Sequence, residues 1–188
     1  MNRNPYAPPA AALADVGELG AVPVHPDQLA REDFGGFWMR VLAYAIDEAV
    51  LYFPKTLVID GSTLLIAREA TLGPLEIVGL QTAIAIVVDS IYFVAFWSSP
   101  WQASIGKRIC GQVVTSESLT RLSVGRALWR YGALVLSSFV IVGVLTIPFS
   151  SRRRALHDMM AKTLVVKRRA IERAIVESRG ALPGSEPQ

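Results

Sequence analysis

The chain holds one cysteine, Cys110, in 188 residues. That excludes an internal disulfide and any CxxC redox or metal pair. Beside Lys107 and Arg108 the lone thiol reads as a small filler residue. Histidine is nearly as scarce. His25 lies in an Ala/Pro-rich opening and His157 far downstream, with no Cys or second His near either, so no metal site is expected. Serine and threonine are plentiful but have no catalytic partners at suggestive spacing, so no enzyme active site and no cofactor are expected. Gly106-Lys107 is preceded by Trp101 and followed by Arg108, so a phosphate loop, which needs Gly-x4-Gly-Lys-Ser/Thr, is ruled out. Nothing suggests nucleic-acid binding. The opening also lacks a basic start followed by an apolar core, so it is not read as a signal peptide.

What the chain does have is long apolar runs. Hydrophobic residues make up 52% of it, and they cluster in three blocks rather than scattering at a period of 2 or 3.6. Two blocks are near the ~20 residues a helix needs to cross the hydrocarbon. The first runs from Trp38 to Phe53, with an extension past Pro54 to Ile59. The second runs from Ile77 to Trp97. The third, Ala127 to Phe149, contains Gly132, Gly143 and Pro148. The fold class is therefore an all-α integral membrane helical bundle. It has two antiparallel transmembrane helices, a third apolar segment that is either a single span or a bent hairpin, and an amphipathic cytoplasmic C-terminal segment.

Charge sets the expected orientation. Residues 98–130 carry Lys107, Arg108, Arg121, Arg126 and Arg130 against Glu117 alone, and the chain from Ser150 carries nine Lys and Arg against four acids. Positive charge marks the cytoplasmic side. The expectation is a multi-pass protein of the cell (inner) membrane with a cytoplasmic N-terminus and an outer 55–76 connection, turning at Asp60-Gly61-Ser62. Both flanks of the third block are basic, which favours the hairpin. Lys107 and Arg108, with Arg152, Arg153 and Arg154, are placed facing lipid, on anionic headgroups. The expected divisions are a disordered tail over 1–33, a transmembrane domain over 34–168, and a basic, partly disordered tail over 169–188.

Ionisable residues inside the apolar runs are expensive, about 2.5–3.5 kcal/mol each on insertion scales. Arg40, Asp47, Glu48 and Asp89 are such residues. Arg40 and Asp47, seven apart, share a helix face. Antiparallel helices bring Asp47 and Asp89 to nearly one depth, where two carboxylates cannot comfortably both be ionised. Arg40, Arg126 or Arg130 would pair with them, or a proton or cation would. Glu48, His157 and Asp158 are auxiliary candidates.

Four motifs in order resemble the RDD family of bacterial membrane proteins, named for one arginine and two aspartates. They are Phe37-Trp38-x-Arg40-x3-Tyr44-x2-Asp47, Asp89 with Tyr92-Phe93 and Trp97, Gly106-Lys107-Arg108-x2-Gly111, and Arg153-Arg154-x-Leu156-His157-Asp158-x2-Ala161-x-Thr163. The likeness covers 34–168. Lys162 stands where the family usually has Gly, and Ile105 where it often has Pro. The resemblance implies that Arg40, Asp47 and Asp89 are the signature residues. It also implies two functional readings. One is a small transporter or monovalent cation/proton exchanger using intramembrane carboxylates, which needs a homo-oligomer to enclose a path. The alternative is a non-catalytic scaffold or assembly factor that binds lipid and other membrane proteins, its buried charges only fixing helix packing.

Overall fold

A computed structural model describes residues 26–69, 72–139 and 152–180. It is mostly helical. Helix α1 is Phe37–Glu69 and α2 is Pro74–Ser98; both are long and apolar enough to cross a membrane. At 33 residues, α1 is about 50 Å long, well beyond the ~30 Å hydrocarbon layer. It continues past Pro54, in line with the expected extension to Ile59, and on through 60–62 to Glu69, so the turn expected at Asp60-Gly61-Ser62 is replaced by helix. The Thr56 hydroxyl bonds back to the Tyr52 carbonyl in the turn that Pro54 disturbs. Pro74 at the first position starts α2, and the Glu76 carboxylate accepts the Gly73 N–H at 2.8 Å.

Beyond α2 the chain builds a compact head. Helix α3 is Ile105–Ile109 and strand β1 is Gln112–Ser116. Helix α4, Val124–Phe139, begins the third apolar block. Helix α5 is Leu156–Met160, strand β2 is Thr163–Lys167 and helix α6 is Arg168–Gly180. The strands pair antiparallel from Gln112↔Lys167 to Ser116↔Thr163, and Phe34 adds a bridge to Val166. An all-α bundle was expected; the described residues also hold this two-stranded sheet. Both strands are short, rich in β-branched residues and almost wholly buried, so they show no alternation to read as strand.

The two head units repeat one plan, fifty-one residues apart (105 to 156, 112 to 163). Each is a five-residue helix, a left-handed residue and a five-residue strand. The left-handed residue is Gly111 (φ +64) in the first unit and Lys162 (φ +51) in the second. Lys162 thus occupies a backbone conformation that suits glycine. The pairing also brings the chain before the third block beside the chain after it.

The sheet separates two apolar clusters. Phe34, Val113, Leu119, Leu164, Val166, Ala170, Ile171 and Ala174 form one. Phe93, Trp97, Val114, Leu122, Ala127, Tyr131 and Val165 form the other, joining α2 and α4 to the sheet. Fully burying each large side chain contributes about 1.5–3 kcal/mol. Described structure continues on both sides of residues 34–168. Residues 26–33 contain two 3-10 turns, and Asp33 meets Arg173 at 3.3 Å across α6. The remaining tail residues, 1–25 and 181–188, and the end of the third block lie outside the described residues.

Candidate functional site

The sequence placed Arg40, Asp47 and Asp89 together. The structure separates them into three centres, two at the junction of helices and head and one between the long helices.

Arg40, one turn into α1, points back into the head. Its Nε donates to the Gly35 carbonyl at 2.9 Å and one Nη to the Arg153 carbonyl at 2.6 Å; its other Nη bonds Asp158 Oδ2. Arg130 of α4 grips the other side of the same carboxylate, 2.6 Å from Asp158 Oδ1, and bonds the Thr163 hydroxyl. Asp158 also accepts the Ala155 N–H at 3.1 Å, which starts α5. The partner of Arg40 is therefore Asp158, not Asp47 or Asp89. Burial alone would raise the Asp158 pKa, but the Arg130 and Arg40 guanidiniums overcome this and hold it well below the usual carboxylate range. His157 beside it is buried, which pushes its pKa down to about 4, so it is neutral near pH 7.

Asp47 forms the second centre. It is fully buried and accepts Tyr92 Oη–H at 2.8 Å, Ser104 Oγ–H at 2.5 Å and the Gly106 N–H at 2.7 Å. Only glycine fits at 106: a Cβ there would lie 2.0 Å from the Ala43 carbonyl oxygen. The close approach of α3 to α1 is what lets a backbone N–H reach the carboxylate.

Asp89 forms the third. Its partner is Lys55, at 2.8 Å, and Lys55 also reaches Glu48 at 2.9 Å. The two family aspartates do not share a site; the second carboxylate near Asp89 is Glu48. Lys55 was not among the sequence candidates. Its spacing of seven from Glu48, on one helix face, was the available signal.

The basic residues expected against lipid divide. Arg108 is exposed, stacked 4.3 Å above Trp101. Lys107 is buried, its ammonium over the rings of Trp97 (5.2 Å) and Phe93 (5.7 Å). Burial first, then Arg130, lowers its pKa to about 8, against the pull of Asp47. Lys107 is thus corrected from lipid-facing to interior, because α3 turns that side chain under the head. Arg152 and Arg154 are half-buried and pair with Asp27 (2.6 Å) and Glu117 (2.5 Å), and Arg153 lends its carbonyl to Arg40. Arg126 is exposed and belongs to none of the three centres. Among the described residues, no cluster of His, Cys, Asp and Glu could hold a metal. Cys110 is half-buried, and burial raises its thiol pKa, which fits the filler reading.

No solved structure matches the chain. An uncharacterized protein, YxaI of Bacillus subtilis (strain 168), is 31% identical over 145 residues, covering 70% of this chain and 95% of that protein. The model of the RDD family matches residues 34–162, which hold all three charged centres. On that match, and with two helices fit to cross a bilayer, the chain belongs to the RDD family, a membrane-associated family.

Proposed function

We propose that this protein is a non-enzymatic membrane scaffold that holds a folded head at the cytoplasmic face of the cell membrane. One observation carries this: Asp47, a signature carboxylate deep in α1, has both oxygens occupied by donors, two of which belong to the head segment 104–106. With Arg40 turned the same way, two of the three signature residues fasten the head to the spans. A carboxylate engaged like this is a poor alternating ion site, because releasing it leaves buried donors unpaired, at about 1–3 kcal/mol each.

In this reading the chain is multi-pass. Its excess of Lys and Arg over 98–130 and from Ser150 on supports a cytoplasmic head and N-terminus. The third block returns to the side it left, a reading supported by the pairing of β1 before it with β2 after it. The head presents Arg108 and Trp101 to anionic headgroups, while the apolar helix faces meet lipid or other membrane proteins.

A second reading, cation/proton exchange, is favoured by the Glu48–Lys55–Asp89 triad, which carries two acids against one base within the spans. Purified protein in sealed vesicles with an imposed pH gradient and added Na⁺, K⁺ or Li⁺ separates the two. The scaffold leaves the gradient intact. Cation-dependent collapse abolished by Asp89→Asn in a folded variant establishes exchange instead.

A further inference from the structure

The junction between helices and head encloses five charged side chains, all almost completely buried: Arg40, Lys107, Arg130, Asp47 and Asp158. They do not balance. Asp158 is shared between Arg40 and Arg130, and Asp47 is taken up by Tyr92, Ser104 and Gly106. Lys107 makes no ion pair or hydrogen bond among the described residues; its ammonium lies over two aromatic rings, and the Asp47 charge acts on it from beyond ion-pair distance. In the repeated plan of the head, Lys107 stands where Asp158 stands in the second unit, yet Asp158 has two arginines in ion-pair contact and Lys107 has no acid in such contact among the described residues.

Nearby donors also lack acceptors. Trp97 Nε1–H and Arg130 Nε–H are buried without partners. Both belong to groups that meet at the Trp97 ring, 4.9 Å from the Arg130 guanidinium and 5.2 Å from Lys107 Nζ. A buried site with spare donors and a surplus positive charge is missing an acceptor, and an anion supplies both the acceptor and the charge. We propose that the Lys107–Trp97–Arg130 cluster binds a small monovalent anion of halide type. Its charge matches the surplus.

The test uses the full-length protein in nanodiscs. Chloride is titrated against gluconate at constant ionic strength, and chloride NMR line broadening and the thermal midpoint are followed. Wild type should show saturable broadening that bromide competes away and gluconate does not, with a midpoint that rises over the same concentrations. Lys107→Met, which keeps the apolar stem, should lose the saturable component of both. Absence of saturable broadening in wild type overturns the proposal and leaves the donors to water. Equal broadening in wild type and Lys107→Met means an adventitious ion only, and also overturns it. If Lys107→Met does not fold, bromide competition on wild type, with gluconate as control, decides alone.

Discussion

Asp47 on α1 accepts the backbone N–H of Gly106 at 2.7 Å, and that glycine packs so tightly on α1 that a Cβ would lie 2.9 Å from Asp47 Cγ. Neither atom set can move freely, because α1 backbone lies on one side and the α3 turn on the other. Gly106→Ala should therefore cost about 1–3 kcal/mol, as overpacking does, and lower the thermal midpoint in detergent. A midpoint equal to wild type would mean that α3 does not sit against α1 in this way.

The Arg40–Asp158–Arg130 clamp makes a second prediction. Asp158→Asn strands two buried guanidiniums and should cost about 3–5 kcal/mol. Asp158→Asn combined with Arg40→Met should be milder than the sum of the single losses. Chemical denaturation of the four proteins measures this coupling; strict additivity would show that the two groups do not touch.

The ends of the two five-residue helices predict opposite effects of glycine. Gly111 and Lys162 are both left-handed. Lys162→Gly should stabilise by about 0.5–1 kcal/mol, and Gly111→Ala should destabilise by about 1–2 kcal/mol. Denaturant midpoints for the pair check both signs.

Acid should loosen the head. The folded-state pKa of His157 lies near 4, below the ordinary value of 6.5, so the unfolded chain takes up the proton first. The stability tied to the neutral imidazole is complete above about pH 6.5 and falls by about 3 kcal/mol as the pH drops towards 4. Asp158, held low by its arginines, adds a further loss below the ordinary carboxylate range. Denaturation followed from pH 7 to 4 should slope in wild type and flatten over that window in His157→Gln.

These residues also show what could be read from the sequence. The two long helices were legible because lipid-facing spans need uninterrupted apolar length, and length survives in a one-dimensional reading. The start of α1, the importance of Arg40 and the family itself were legible for the same reason: charges inside apolar runs stand out. The head was not. β1 and β2 are buried on both faces and only five residues long, so they lack the alternation that announces a strand. The pairing of Arg40 with Asp158 joins residues 118 apart in sequence, and nothing local marks it. Lys107 looked like part of a surface basic loop because a five-residue helix is too short to show which face it buries. Asp60-Gly61-Ser62 has the composition of a turn, yet α1 continues through it, as it does past Pro54.

The central claim is that Asp47 is a latch between spans and head. Hydrogen exchange of the folded protein in nanodiscs, comparing wild type with Asp47→Ala, tests it most directly. Removing the carboxylate takes away the acceptor of the Gly106 N–H and of the Ser104 hydroxyl, so local opening of that turn should become easier. The account predicts faster exchange across 104–111 with protection in 112–116 and 163–167 largely kept. Unchanged protection of 104–111 in Asp47→Ala would contradict it.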